Sequence, residues 1–163
     1  MVMNGYVVSA KKPTAVMQSL TGAITAPDDL NLILGKTNRI ELSVVGEEGL
    51  RPIIEIPLFG RIATLNVFRV KGESVDSILV VTAKQELAIL AWDPVNQCMR
   101  TRASGNISEK IGRFSNTGFI TTVHSSGLIA VRIYDHSISI IRWEDGLSEM
   151  KELKAYQIRV EDK

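Results

Sequence analysis

Two histidines, one cysteine, several acidic doublets and one glycine-flanked loop are the features of this 163-residue chain that could carry chemistry. Spacing decides what each can do. His124 closes an apolar strand pattern and His136 lies in the turn signal "YDHS", so they lack the i, i+4 spacing that puts two imidazoles on one helix face for a metal. Core and turn roles suit them better. Cys98 follows "DPVNQ" at the start of a strand, with no histidine nearby in sequence to hold a thiolate, and reads as a half-buried structural thiol. The segment "GRFSNTG" (112–118) has neither the GxxxxGK[ST] pattern nor a strand–GxGxxG–helix context, and reads as a loop. Asp28-Asp29, Glu47-Glu48 and Glu144-Asp145 each fall inside a turn signal, where acidic side chains stabilise the turn and face water. Lys11, Lys12, Arg100, Arg102, Lys110 and Arg113 are spread among acids without interleaved aromatics, which describes a solvated surface rather than a single-strand nucleic-acid groove. These residues assign no catalytic, cofactor-binding or metal site. The chain is expected not to be an enzyme, since that would need His124, His136 and a carboxylate to converge in one deep pocket.

Composition narrows the class. With 45% hydrophobic and 23% charged residues the sequence describes an ordinary globular chain with enough apolar content for one domain-sized core. A formal charge of +1 supplies no field to draw it toward phosphate polyanions or acidic membranes. The start, "MVMNGYVVSAKKPTAV", lacks the basic, apolar and small-residue order of a secretory signal. The longest apolar runs are strand-sized, too short for a membrane helix. The single cysteine excludes an internal disulfide and fits a reducing compartment, the cytosol or nucleus. Asn106-Ile107-Ser108 has the form of a glycosylation acceptor and, without an entry signal, reads as a chance match.

The elements that must position these residues are strands. Short segments rich in Val, Ile, Leu and Thr are punctuated by "TAPDD" (25–29), "GEEG" (46–49), "KGES" (71–74), "DPVN" (93–96), "NTG" (116–118) and "EDG" (144–146). Three segments align without a gap: "LNLILGKTNRIELSVV" (30–45), "ILVVTAKQELAILAWD" (78–93) and "LIAVRIYDHSISIIRW" (128–143). In that register Lys36, Lys84 and Tyr134 coincide, at spacings of 48 and 50 residues, and Ile40, Ala88 and Ile138 follow as equivalent positions. A leading strand precedes each hairpin (about 15–24, 62–70 and 119–124) and a trailing one follows it (about 50–57, 98–104 and 152–160).

A period near fifty, four strands to a unit, predicts an all-β fold of antiparallel four-stranded blades. The units run over about 14–57, 60–104 and 117–160, within one partial β-propeller domain spanning 1–163. Neither strand of "GESVDSILVVTAKQELAILAWD" (72–93) alternates cleanly, which fits a hairpin covered by a neighbouring blade on each face. The trailing segment "AYQIRVE" (155–161) does alternate, as a rim strand should. A β-sandwich with similar hairpins is the alternative on patterns alone.

The segments "YVVSAKKPTAV", "DLNLILGKTNRIEL", "EGLRPIIEI", "KGESVDSILVVTAK", "GNISEKIGR" and "LKAYQIRVE" resemble the amino-terminal propeller region of the family of the damaged-DNA-binding protein large subunit, from Tyr6 to about Asp162. Two paralogous families, a splicing-factor subunit and the large cleavage and polyadenylation factor subunit, fit those strings less well. The resemblance implies the first of three seven-bladed propellers in a nuclear and cytoplasmic adaptor that links substrate receptors to a cullin-RING ubiquitin ligase. It also implies a part in recognising damaged DNA for repair, together with a small partner subunit. The cullin-docking propeller of such adaptors has no counterpart in these residues, the third unit departs from the family's wording, and no receptor-contacting residue is assigned.

Three blades cannot close a seven-bladed ring. The outer faces of the first and third units are therefore expected to exceed the ~300–600 Å² apolar patch of a typical monomer, and their edges to invite pairing. Self-association, or dependence on further blades of a longer chain, follows as an expectation, and the chain is read as a fragment or short paralogue of a longer adaptor. An RNA-processing scaffold and an inactive truncated piece are the functional alternatives.

Overall fold

The computed structural model describes residues 11–108, 113–115, 118–124, 128–135, 137–142 and 154–159, with only the backbone at 142 and 154–159. Every regular element among them is a strand. β1 (Val16–Gly22), β2 (Asn31–Lys36), β3 (Arg39–Gly46) and β4 (Gly49–Pro57) form one sheet; β5 (Ile62–Arg69), β6 (Asp76–Thr82), β7 (Glu86–Asp93) and β8 (Cys98–Asn106) form a second. β9 (Ile120–Val123), β10 (Leu128–Tyr134), β11 (Ser137–Arg142) and β12 (Lys154–Arg159) form a third. All pairings are antiparallel and each sheet keeps sequence order. Three four-stranded sheets, rather than the two of a sandwich, are the blades of a partial propeller. The closest approaches between sheets are β1 to β5 and β5 to β9, so the first strands converge while the last ones splay.

The middle hairpin shows why its sequence does not alternate. Every residue from Ser77 to Thr82 is buried. Ile78 and Val80 belong to a core shared with the first sheet, whereas Leu79 and Val81 belong to one shared with the third. β7 divides likewise, Ala88 and Leu90 toward the first sheet and Leu87 and Ile89 toward the third. The side-chain period of two persists, but both faces are dry, so the polar half of the pattern has no place to appear.

Between the first and second sheets the fit is close. A Cβ at Gly35 would collide with the Leu65 side chain, and one at Gly22 would lie 2.7 Å from Val67 Cγ1, so bare backbone in the first sheet admits branched side chains of the second. The converging strands are also clasped: Gln18 Nε2 donates to the Leu65 carbonyl and the Leu65 N–H donates to Gln18 Oε1, both at 2.8 Å. One side-chain amide thus satisfies both backbone groups of a residue on the neighbouring blade. Between the second and third sheets the Asn66 amide donates to the carbonyl and hydroxyl of Thr121.

The gapless alignment of the hairpins does not survive in three dimensions. Ile40 packs into the core facing the second sheet, Ala88 faces back toward the first, and Ile138, three residues from the buried Ile141 on a regular strand, points away from the second. The reason is turn length. Thr37 and Asn38 separate β2 from β3, while Ala83, Lys84 and Gln85 separate β6 from β7, and one extra residue turns every later side chain to the other face. β10 adds a bulge between Val131 and Tyr134.

The outer face of the first sheet mixes charged rows with exposed apolar ends. Its cross-strand rows are Val16–Lys36–Arg39–Pro57, Ser19–Leu34–Glu41–Glu55 and Thr21–Leu32–Ser43–Pro52. Lys36 Nζ reaches Glu41 Oε1 at 2.5 Å and Arg39 Nε lies 3.2 Å from Glu41 and 3.6 Å from Glu55. The Lys36 ammonium, and then Arg39, hold the Glu41 carboxyl below its ordinary range against an opposing effect of burial. Exposed apolar side chains gather at the far end, in Leu30, Val45 and Leu50, with Val16 at the other. Pro52 and Pro57 remove donors from the β4 edge, which hinders strand addition there. The described outer face of the third sheet carries Leu128, Ala130, Ile138 and Ile140, half-buried, and Ile120, half-exposed, together with Thr122 and Arg132. The rim alternation expected for "AYQIRVE" concerns side chains outside the described residues.

Candidate functional site

The cavity of interest, about 230 Å³, opens where the first and second sheets meet, at the end carrying the β1–β2, β3–β4 and β7–β8 turns. Its first wall is the "TAPDD" turn. Asn31 is fully buried, and its Oδ1 accepts the backbone N–H of Ile24 at 2.6 Å and of Thr25 at 3.0 Å. Its Nδ2 donates to Thr25 Oγ1 at 2.8 Å, and that hydroxyl donates to Asp29 Oδ2 at 2.6 Å. A short amide side chain thereby substitutes for backbone partners and holds the turn in one shape.

The second wall is the "DPVNQ" turn. Asp93 Oδ1 accepts from the N–H groups of Val95 at 3.0 Å and Asn96 at 3.2 Å, Oδ2 accepts Asn96 Nδ2 at 2.7 Å, and Arg100 Nε lies 2.5 Å from Oδ2. The Asn96 side-chain bond, followed by the Asn96 backbone bond, keeps the Asp93 carboxyl below its usual range. The turn ends at Gln97 with φ of 50°, in the left-handed region where a non-glycine residue is uncommon. Gln97 lines the cavity from there.

The floor comes from the sheets. Val44 and Arg51 are cross-strand partners on the face toward the second sheet, Ile53 follows on β4, and Trp92 projects from β7 against the same core. Arg51 is exposed and makes no ion pair with the described residues. The arrangement joins the apolar side chains of Val44, Ile53 and Trp92 to the Arg51 guanidinium, the Gln97 amide and the Asp29 carboxylate, on walls fixed by internal hydrogen bonds. It can hold a side chain; it presents no acid–base or nucleophile pair.

The residues singled out from sequence are placed apart. His124 is exposed at the end of β9, where its N–H donates to the Leu128 carbonyl, and Cys98 is half-buried at the start of β8. His136, Glu144, Asp145 and Lys110 lie outside the described residues, as does part of "GRFSNTG". From that loop Phe114 bridges to Tyr134 and stacks on its ring at 5.4 Å between centroids. Asp28, Glu47 and Glu48 lie in turns as expected. Lys12 pairs with Glu55, Arg100 with Asp93 and Arg102 with Glu73. Asn106 is exposed, and its Oδ1 accepts the Ser108 N–H at 2.9 Å. Among the described residues no group of three or more His, Cys, Asp and Glu side chains is placed to hold a metal, and no helix is long and apolar enough to cross a membrane.

The cavity has no signature in the sequence, because the turns that carry Asp29 and Asp93 lie far apart in the chain and each has an ordinary turn composition. The Gln18 clasp is silent for the same reason: a single amide on a strand carries no sequence signal for a partner on the next blade.

Fold and site together define a β-propeller module of blade-shaped sheets with a small cavity at a seam. Residues 15–162 match the family model described as RSE1/DDB1/CPSF1 first beta-propeller. The chain is 39% identical over 158 residues to DNA damage-binding protein 1a of Arabidopsis thaliana and, to the same extent, to DNA damage-binding protein 1 of Oryza sativa subsp. japonica. Both alignments cover 96% of this chain and 14% of the relative. DNA damage-binding protein 1 of Caenorhabditis elegans is 39% identical over 141 residues, 86% of this chain and 12% of its own length. The chain therefore belongs to the RSE1/DDB1/CPSF1 first-propeller family, and it spans about one seventh of the length of the plant relatives it matches.

Proposed function

We propose that this chain is a non-enzymatic interaction module acting in substrate-receptor binding by a cullin-RING ubiquitin ligase and in the response to DNA damage, in the nucleus and cytoplasm. The observation that carries the reading is the similarity of nearly the whole chain to proteins named for binding damaged DNA. Its partners are proteins: the receptors, and the remaining blades of a longer chain or a second copy. Damaged DNA is reached through a partner, because a formal charge of +1 provides no phosphate-binding field of its own. Residues 1–163 act as one partial propeller domain in this reading.

The family description also embraces RNA-processing relatives, which the 39% identity to DNA damage-binding proteins makes the weaker choice. Affinity purification of the tagged chain from nuclear extract separates them. Recovery of cullin-RING components and receptors is the expected result, and recovery of splicing or polyadenylation subunits without ligase components overturns it.

A further inference from the structure

We propose that the cavity between the first two sheets is a docking pocket for a short peptide segment of a protein partner that presents one bulky apolar side chain beside a carboxylate. This deepens the interaction-module reading and rests on it. At about 230 Å³ the cavity falls below the ~300–1,000 Å³ of pockets for drug-sized ligands, which suits a single anchoring side chain. Val44, Ile53 and Trp92 supply the apolar surface for that anchor.

The polar lining selects what stands beside it. Asp29 Oδ2 accepts the Thr25 hydroxyl, which fixes the orientation of that carboxylate and leaves its negative charge on the first wall. Arg51 makes no ion pair with the described residues and presents a planar set of donors suited to a carboxylate. Gln97 adds an exposed amide from a turn held by Asp93. Tryptophan and arginine are the residue types that dominate binding energy where a partner side chain is buried. Walls fixed by the Asn31 and Asp93 networks leave little ordering entropy to lose on binding.

The test uses the intact 163-residue chain and fluorescence anisotropy with three labelled hexapeptides, in which Gly and Ser flank a Leu-Asp, a Leu-Lys or a Gly-Asp core. The Leu-Asp peptide is expected to bind at least about fivefold more tightly than either control, in line with a modest charge contribution and a buried anchor. R51E alters an exposed side chain, should keep the wild-type circular dichroism spectrum, and should reverse the preference to Leu-Lys. Q97G relieves the left-handed backbone, so it should raise the unfolding midpoint while weakening Leu-Asp binding about two- to threefold.

Preference of the wild-type chain for Leu-Lys, which the carboxylates of Asp28, Glu47 and Glu48 in the adjoining turns would favour, overturns the proposal. So does binding of none of the three peptides, or an unchanged order in R51E. Those results leave the affinity purification unaffected, so failure of the pocket is distinguishable from failure of the adaptor reading.

Discussion

The two seams of this molecule join the same kinds of sheet by different means. The first, between the sheets β1–β4 and β5–β8, relies on absence: Gly22 and Gly35 leave room for Val67 and Leu65, and Gln18 ties the converging strands with two hydrogen bonds. The second, between β5–β8 and β9–β12, has its own clasp, Asn66 donating to the carbonyl and hydroxyl of Thr121, but is filled by bulk where the first leaves room. Phe68, Ile129, Val131 and Ile133 fill it, and Tyr134 closes one end with its ring against Phe114 and its hydroxyl donating to Gln85 Oε1 at 3.1 Å. A repeated architecture therefore does not need repeated seam residues. What repeats is the wedge shape and the demand that converging strand edges find partners.

The contrast can be broken where it is strongest. Gly35→Val places methyl groups inside the volume of Leu65, which is fully buried and has nowhere to go. Overpacking of this kind costs about 1–3 kcal/mol, and the upper end is expected at a closed seam. A urea titration should show the midpoint fall sharply. Adding Leu65→Ala should recover part of the Gly35→Val loss if the two sites share one space, and strict additivity would mean they do not.

Gln18→Ala leaves both the N–H and the carbonyl of Leu65 without their partner. The expected loss is about 1–3 kcal/mol by equilibrium unfolding, because unmet backbone groups forfeit their full desolvation cost. Faster amide exchange at Leu65 than in the parent would locate the effect at the clasp. At the second seam, Tyr134→Phe keeps the stacked ring and deletes the hydroxyl bond to Gln85. The loss there should be that of one ordinary hydrogen bond, about 0.5–1.5 kcal/mol. A loss at Tyr134 larger than at Gln18 would mean that the second seam, and not the first, depends more on its polar fastening.

The smallest expected effect separates the first sheet's outer face from both seams. Glu41 has a folded-state pKa below its unfolded value. Its contribution is therefore present above the unfolded pKa, about 4.3, and disappears as pH falls through the folded one. Glu41→Gln should flatten the dependence of stability on pH below about 4.3 and leave the seams' contributions unchanged. Unfolding curves of both proteins across that range would show it, and parallel curves would mean that Lys36 and Arg39 contribute nothing through Glu41.

Much of the fold was legible in the chain. Runs of Val, Ile and Leu between turn signals located the strands, and hairpins lacking alternation at 78–93 implied cover on both faces, which the division of β6 between two cores bears out. The exact equivalence of the hairpins was not legible. Lys36, Lys84 and Tyr134 coincide in the gapless register, but turn length and the β10 bulge decide which way Ile40, Ala88 and Ile138 face. Hydrophobicity records that a residue is buried and not by which neighbour.

The polar outer face of the first sheet was also obscured. Lys36, Arg39, Glu41 and Glu55 read singly as ordinary surface charges, and only the register of β2, β3 and β4 brings them into contact. The cavity followed the same rule, since neither Trp92 nor Arg51 has a distinctive sequence neighbourhood.

By itself the sequence determined that this protein is built of strands in units of about fifty residues with apolar hairpins at their centres, because strand and turn propensities act over a few neighbouring residues. It also determined the family, because enough side-chain identities survive over 158 aligned residues to show it. The tertiary structure decided which face meets which, where Gly35 admits Leu65, and that two turns far apart in the chain enclose one cavity around Trp92. Such contacts depend on register and on the convergence of separate sheets, and a shift of one residue in a turn reverses them without changing the composition at all.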